Sequence, residues 1–217
     1  MCSSDLRTMA TLSATGQDKI KDGFQPLLDG FLHVPFNDIH ALEQIMDDHV
    51  CAVLLEPVQG EGGVIPADVE YLKAVRALCD ETGTLLVFDE IQSGMGRCGR
   101  LFAHELYPVI PDIMTLAKAL GNGLPIGAML ATSNAATGFD YGSHATTFGG
   151  TPLATAAALE VVNLISDPEF LAQVREKGAY FKRRLLELKQ KHETVVDVRG
   201  KGLLLGMEVS KPASFFV

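Results

Sequence analysis

Two carboxylates, an amide and a lysine are the residues in this chain best placed to do chemistry. Thr84-Leu85-Leu86-Val87-Phe88 is an apolar, β-prone run that stops on Asp89-Glu90, with Ile91-Gln92 directly behind. The run reads as a strand buried on both faces of a parallel sheet covered by helices. The carboxyl end of such a strand is where an open α/β sheet binds its ligand. A carboxylate held there is costly unless something pairs with it. An Asp opposite a heteroaromatic nitrogen keeps that nitrogen protonated, and a protonated pyridine is the electron sink of pyridoxal phosphate chemistry. Gln92 can donate to the ring's phenolic oxygen if the chain turns at Ile91. The aldehyde then needs an amine. Lys118, in Thr115-Leu116-Ala117-Lys118-Ala119-Leu120-Gly121, has the apolar, Gly-flanked setting that favours a neutral, nucleophilic amine. The plain alternatives are an Asp that caps a turn and a solvated surface lysine.

The elements that must position these residues alternate between strand and helix. Residues 50–55 read as a buried strand ending on Glu56-Pro57, a second strand-end carboxylate, and the Gly-rich loop Gln59-Gly60-Glu61-Gly62-Gly63 follows. A helix is predicted from 66–68 to about 82, with Gly83 as its stop. Short strands at 112–116 and 126–131 flank Lys118. This order predicts an α/β domain. Upstream, 7–35 reads as loop punctuated by Gly and Pro, and 39–48 as a helix capped by Asn37-Asp38. Downstream, 151–165 is a small-residue helix, 168–192 a charged amphipathic helix, and 194–198 and 203–209 are short strands. We place a boundary near Ser166-Asp167, giving a partial large domain over 1–166 and the start of a smaller α+β unit over 167–217.

Composition narrows the function further. The chain has 217 residues, is 47% hydrophobic and carries a net charge of -9, so it can bury a sizeable core and is poorly suited to nucleic acid or an anionic membrane. No apolar run reaches the roughly 18 residues of a membrane span. Cys2, Cys51, Cys79 and Cys98 show neither a CxxC pair nor metal-ligand spacing, which suits reduced, structural thiols in the cytoplasm. Gly94-x-Gly96-x-x-Gly99 matches a dinucleotide fingerprint, but two acids separate it from its strand, where the first Gly should turn the chain directly toward a helix.

Four motifs in order carry a resemblance: Leu55-Glu56-Pro57-Val58-Gln59-Gly60-Glu61-Gly62-Gly63, Phe88-Asp89-Glu90-Ile91-Gln92-Ser93-Gly94-Met95-Gly96-Arg97, Pro111-Asp112-Ile113-Met114-Thr115-Leu116-Ala117-Lys118-Ala119-Leu120-Gly121, and His144-Ala145-Thr146-Thr147-Phe148-Gly149-Gly150. With them the chain, from about Arg7 onward, resembles the class III (ω-amino acid) aminotransferases of the fold-type I pyridoxal phosphate superfamily. The resemblance implies a mostly parallel sheet in the large domain, a homodimer, and transfer of the δ-amino group of N-acetylornithine to 2-oxoglutarate. Succinyl-diaminopimelate, ornithine or 4-aminobutyrate are alternative donors, and a non-catalytic binding protein is the alternative class.

The resemblance also implies roles. Asp89 pairs with the pyridine nitrogen, Gln92 touches the phenolic oxygen, and Lys118 holds the cofactor and shuttles the proton. Thr147 reaches the cofactor phosphate of the neighbouring subunit, Arg7 binds the substrate's α-carboxylate, and Glu61 is the acidic switch that pairs with a C-terminal arginine. Glu56 is an active-site carboxylate or a structural strand end, and Arg97 is loop structure. Three features depart from the pattern. Ser4-Asp5-Leu6 stands where the family has an aromatic-His-Gly triplet. The Gly-Thr phosphate turn and the arginine partner of Glu61 are not found, so the chain reads as an internal fragment of an enzyme. Cys98 and Ala145 replace residues that are often Thr and Gly.

Overall fold

The computed structural model describes residues 8–215. Its centre is a four-stranded sheet in the order β1 (Ala52–Leu55), β4 (Leu85–Asp89), β5 (Ile113–Leu116), β6 (Ala128–Ala131). β1 and β4 pair in parallel, as do β4 and β5, whereas β6 runs antiparallel to β5. The connection from β1 to β4 passes through the two-residue strands β2 (Val58–Gln59) and β3 (Ile65–Pro66), which pair antiparallel, and then helix α4 (Val69–Thr82).

α4 forms where its apolar residues fall on one stripe: Tyr71, Leu72, Val75 and Cys79 are buried. Gly83 closes the helix in the left-handed region at φ 71°, a conformation that glycine reaches at no steric cost. The buried stripe packs with Leu86, Phe88 and Val53 of the sheet. Leu86 and Phe88 are fully buried, and each such side chain contributes about 1.5–3 kcal/mol relative to exposure. In a second cluster Met114 and Leu116 of β5 pack with Ala158 and Ile165 of α6 (Pro152–Ile165).

The boundaries differ from the sequence reading in several places. β4 is buried on one face only, because Leu85 and Val87, which the pleat points the other way, are half-buried. Among the described residues β1 ends the sheet, and its Ala52 and Leu54 are exposed where the sequence predicts a buried strand. The stretch read as loop holds two short helices, α1 (Met9–Ala14) and α2 (Asp18–Lys21), the first closed by a reciprocal Thr8/Thr11 capping box that the Gly and Pro count hides. α3 spans only Ile39–Glu43, capped by Asp38, and a four-residue helix, α5 (Ser133–Ala136), follows β6.

The long helix α7 (Pro168–Lys191) starts at the Asp167 N-cap with Pro in its first turn. It carries an antiparallel hairpin of β7 (Val195–Lys201) and β8 (Leu204–Val209). Gly96 and Gly99, the middle and last residues of the apparent fingerprint, lie against these helices. A Cβ on Gly96 would come within 2.7 Å of Ile165, and one on Gly99 within 2.7 Å of Arg175. Close packing, rather than a pyrophosphate, accounts for those two glycines. Among the described residues no helix is long and apolar enough to cross a membrane.

The accessible surface is 13399 Å², against roughly 9,700 Å² for a folded monomer of this mass. Part of the excess is apolar: Ile110, Tyr141, Phe148, Leu153, Leu159 and Leu164 are all more than half exposed. The isolated 217-residue chain should therefore self-associate and bind the dye ANS strongly. A monodisperse monomer by light scattering, with a sharp cooperative melt and no dye binding, would contradict this.

Candidate active site

The parallel register gathers the chemistry at one edge. Leu55 pairs with Phe88, so Glu56, the next residue along β1, comes level with Asp89 at the end of β4. Asp89 in turn pairs with Thr115, and Lys118 lies three residues beyond that point, just past the end of β5. Three neighbouring strands thus end on a carboxylate, a carboxylate and a lysine, along the carboxyl edge where the sequence placed the site.

A tight Gly-rich turn overhangs this edge. Gly63 and Val64 both donate to the Gly60 carbonyl, at 3.2 and 3.1 Å. The Gly60 amide donates to Glu56 Oε2 at 3.0 Å, and Gln92 Nε2 donates to Glu61 Oε1 at 3.1 Å. A Cβ at Gly60 would press on the end of the Gln92 side chain, so glycine there lets Gln92 lie against the turn. Asp89 Oδ1 accepts the Ile91 amide at 3.0 Å, an Asx-type contact that turns the chain so that Gln92 faces Glu61.

The electrostatics are those of acids short of positive charge. Burial pushes the Glu56 carboxyl up to about 7; the Gly60 amide and Lys118 pull it down, while Asp89 and Glu61 push it up. Asp89 is likewise raised by burial, against the pull of the Ile91 amide and Lys118. Burial pushes Cys98 up to about 12 and Cys79 up to about 11, which makes both thiols unreactive. Among the described residues no group of three His, Cys, Asp or Glu is placed to hold a metal ion.

Five of the seven expected site residues therefore meet: Glu56, Glu61, Asp89, Gln92 and Lys118. Lys118 departs from its expected apolar setting. It is exposed, at φ 42° at the start of a one-turn 3-10 helix, and the buried neighbour is Leu120. The apolar flanks anchor the turn, and the Lys118 charge acts on both Glu56 and Asp89. Thr147 lies in an exposed turn between α5 and α6 and takes no part in the contacts joining the five. Arg7 lies outside the described residues. Sequence reasoning gave Thr115 and Glu90 no role. Thr115 is buried opposite Asp89, and its hydroxyl is one of the groups that pull the Asp89 carboxyl down. Glu90 is fully buried and accepts the Ala103 amide, together with the His104 amide at 2.8 Å and the His104 ring at 3.1 Å. Periodicity would have flagged neither.

The donor set fits pyridoxal phosphate. Asp89 is a half-buried carboxyl that burial has raised, and its acceptor oxygens suit a cationic ring N–H. Gln92 keeps a second amide hydrogen free of the Glu61 contact, and the Lys118 amine shares the edge. An α/β sheet with this set at its carboxyl ends has the architecture of a fold-type I pyridoxal-phosphate transferase. The chain belongs to the aminotransferase class-III family, whose model matches residues 6–216.

It is 52% identical over 211 residues to an acetylornithine aminotransferase of Bacillus cereus, covering 97% of this chain and 55% of that protein. Among solved structures it is similar to the ornithine aminotransferase of Toxoplasma gondii, with TM-score 0.90, 37% identity, and 96% of this chain and 50% of that one covered. It is also similar to the N-acetylornithine aminotransferase of Stenotrophomonas maltophilia, with TM-score 0.75, 45% identity, and 85% and 49% covered. The chain thus spans about half the length of the curated relatives it matches.

The raised Glu56 carboxyl makes a signed prediction. Folded Glu56 holds its proton to about 7, while the ordinary value is 4.5. Its contribution is full below pH 4.5 and is lost as pH rises toward 7, by at most about 3 kcal/mol. Glu56→Gln mimics the protonated form. In urea melts of the intact, cofactor-free protein, the variant should gain on the parent between pH 5 and pH 8; a gap that stays constant with pH would remove the assignment.

Proposed function

We propose that this chain carries the catalytic centre of a pyridoxal-phosphate aminotransferase that moves the δ-amino group of N-acetylornithine to 2-oxoglutarate. The observation that carries this reading is the convergence of Asp89, Gln92 and Lys118 on one sheet edge, in a chain that matches class-III aminotransferases almost end to end. When bound, pyridoxal phosphate supplies an aldehyde that amines can join and a protonated ring that draws electrons from the substrate's reacting carbon.

Asp89 would hold the proton on the ring nitrogen, and the half-buried setting that raises its own pKa makes the cationic N–H a favourable partner. Gln92 would donate its free amide hydrogen to the phenolic oxygen. Lys118 would hold the cofactor through its amine and serve as acid and base for the proton on the substrate's amine-bearing carbon. Its exposed position suits that exchange.

Glu61 and Glu56 line the substrate side, with Glu61 able to release Gln92 and meet a cation. Arg7 would receive the α-carboxylate as a bidentate fork. Thr147, on its exposed turn, would reach the phosphate in a second copy, which makes a cytoplasmic homodimer part of the reading. We take residues up to 166 as part of the cofactor-binding domain and those from 167 as the start of a smaller one.

Two experiments test this. Borohydride treatment of the loaded, intact protein and peptide mapping should place the pyridoxyl mass on Lys118; a label on Lys73 or Lys201 would remove it. In the same protein Asp89→Asn should still bind the cofactor but slow the half-reaction by several orders of magnitude, and near-native rates would take Asp89 out of the mechanism.

Donor choice is tested separately. The segment Gly121-Asn122-Gly123-Leu124-Pro125-Ile126-Gly127-Ala128-Met129 is of the acetylornithine type, with succinyl-diaminopimelate as a second substrate. Comparison of kcat/KM should rank N-acetylornithine above ornithine and 4-aminobutyrate. If either of those wins by more than about tenfold, roughly 1.4 kcal/mol in transition-state binding, the donor assignment fails while the transaminase reading stands.

A further inference from the structure

The Gly60-to-Val64 turn that carries Glu61 is held from three sides. Glu56 takes the Gly60 amide and Gln92 takes the Glu61 carboxylate. The third hold comes from the far end of the chain: Arg199 Nε, on β7, donates to the Gly63 carbonyl at 2.8 Å. Arg199 is itself aimed by two acids of its own hairpin, Asp197 at 3.1 Å and Glu208 across the ladder. Its side chain is 26% exposed, so the guanidinium lies between hairpin and turn rather than in solvent. The β8 backbone presses on the same turn, with Gly206 facing Val64.

The turn has reason to relax without this hold. Val64, a β-branched residue, sits at φ 54°, a conformation that costs on the order of 1–3 kcal/mol and persists only where its surroundings impose it.

We propose that Arg199 is a positioning residue for donor selection: by holding the Gly63 carbonyl it fixes the Gly60–Val64 turn and keeps the Glu61 carboxylate on Gln92, so that the β7–β8 hairpin sets the stance of the acid that meets the substrate. This rests on the aminotransferase reading for its consequence, but not for its geometry. Lysine at 199 keeps the charge between Asp197 and Glu208 and loses the planar fork that serves both acids and the carbonyl together.

The test uses the intact, cofactor-loaded protein and its Arg199→Lys variant. Hydrogen exchange at the Gly62, Gly63 and Val64 amides should speed up about tenfold, while exchange in β4 and β5 stays unchanged. The ratio of kcat/KM for the amino donor to that for the oxo acid should shift about tenfold through KM, with kcat within twofold. In a Glu61→Gln background the same Arg199→Lys change should leave that ratio unmoved, because it acts through Glu61.

Unchanged exchange in the turn, or an equal ratio shift with and without Glu61, overturns the proposal. Glu208→Gln, which loosens Arg199 while keeping its bulk, should give the same pattern more weakly, and it decides the matter if Arg199→Lys does not fold. A wild-type protein that transaminates nothing would defeat the aminotransferase reading, and the exchange measurement would still judge the tether.

Discussion

The arrangement of the site depends on one buried-edge carboxylate that does no chemistry. Asp112, the residue before β5, accepts the Leu86 amide at 2.8 Å and the Arg76 guanidinium at 2.7 Å through the same oxygen. Its own amide donates to the Leu86 carbonyl at 2.8 Å, and its carbonyl accepts the Thr132 amide at 2.9 Å. One residue thereby joins the middle of β4, the start of β5, the end of β6 and helix α4. Burial alone would raise its pKa, but the Leu86 amide and the Arg76 charge outweigh that and hold it below the ordinary carboxylate range. Since a strand's side chains alternate between faces, a slip of one residue between β4 and β5 would turn Asp89 away from the edge shared with Lys118. Asp112 ties the two strands at the start of their pairing, and that tie sets where Asp89 stands relative to Thr115 at its end.

The site itself shows the opposite energetics. Glu56 and Asp89 are both raised by burial, Glu56 also by its acidic neighbours, and Lys118 adopts a positive φ that a lysine rarely takes. These are costs, and the core offsets them: Leu72, Val75, Leu86 and Phe88 are completely buried against one another one layer below.

Much of this was legible in the residues. The stop of an apolar run on Asp89, the Gly-rich turns and the Gly83 helix end all follow from local rules, and the parallel order followed from strand–helix–strand alternation. What the sequence hid has physical reasons. α1 rests on a reciprocal Thr8/Thr11 hydrogen bond inside a Gly- and Pro-rich stretch, so composition misdirected the reading. β1 and β4 look equally apolar, yet among the described residues one ends the sheet and the other has a single well-covered face, because pairing order is a tertiary fact that periodicity does not carry. The exposure of Lys118 goes with a positive-φ backbone turn, not with the hydrophobicity of its neighbours. Arg199 acts across more than a hundred residues of chain on a carbonyl, and a carbonyl leaves no trace in side-chain pattern.

The adjacent acids Asp89 and Glu90 make the same point at the smallest scale. They are chemically near twins, and the pleat sends successive side chains to opposite faces. Asp89 keeps one amide donor and remains half-buried at the edge, available to a cationic partner. Glu90 is completely buried, but the Ala103 and His104 amides and the His104 ring surround it, so its desolvation is met by donors and it pins the 103–106 turn behind the site. The Glu90 amide continues the ladder to the Thr115 carbonyl at 3.0 Å, and its carbonyl accepts the Gly94 amide at 2.9 Å. Glu90 thus fixes the backbone from which Asp89 projects. Of these two adjacent carboxylates, one is fully buried and met by donors that fix the backbone while the other stays half-buried at the strand end, and strand geometry rather than residue type decides which is which.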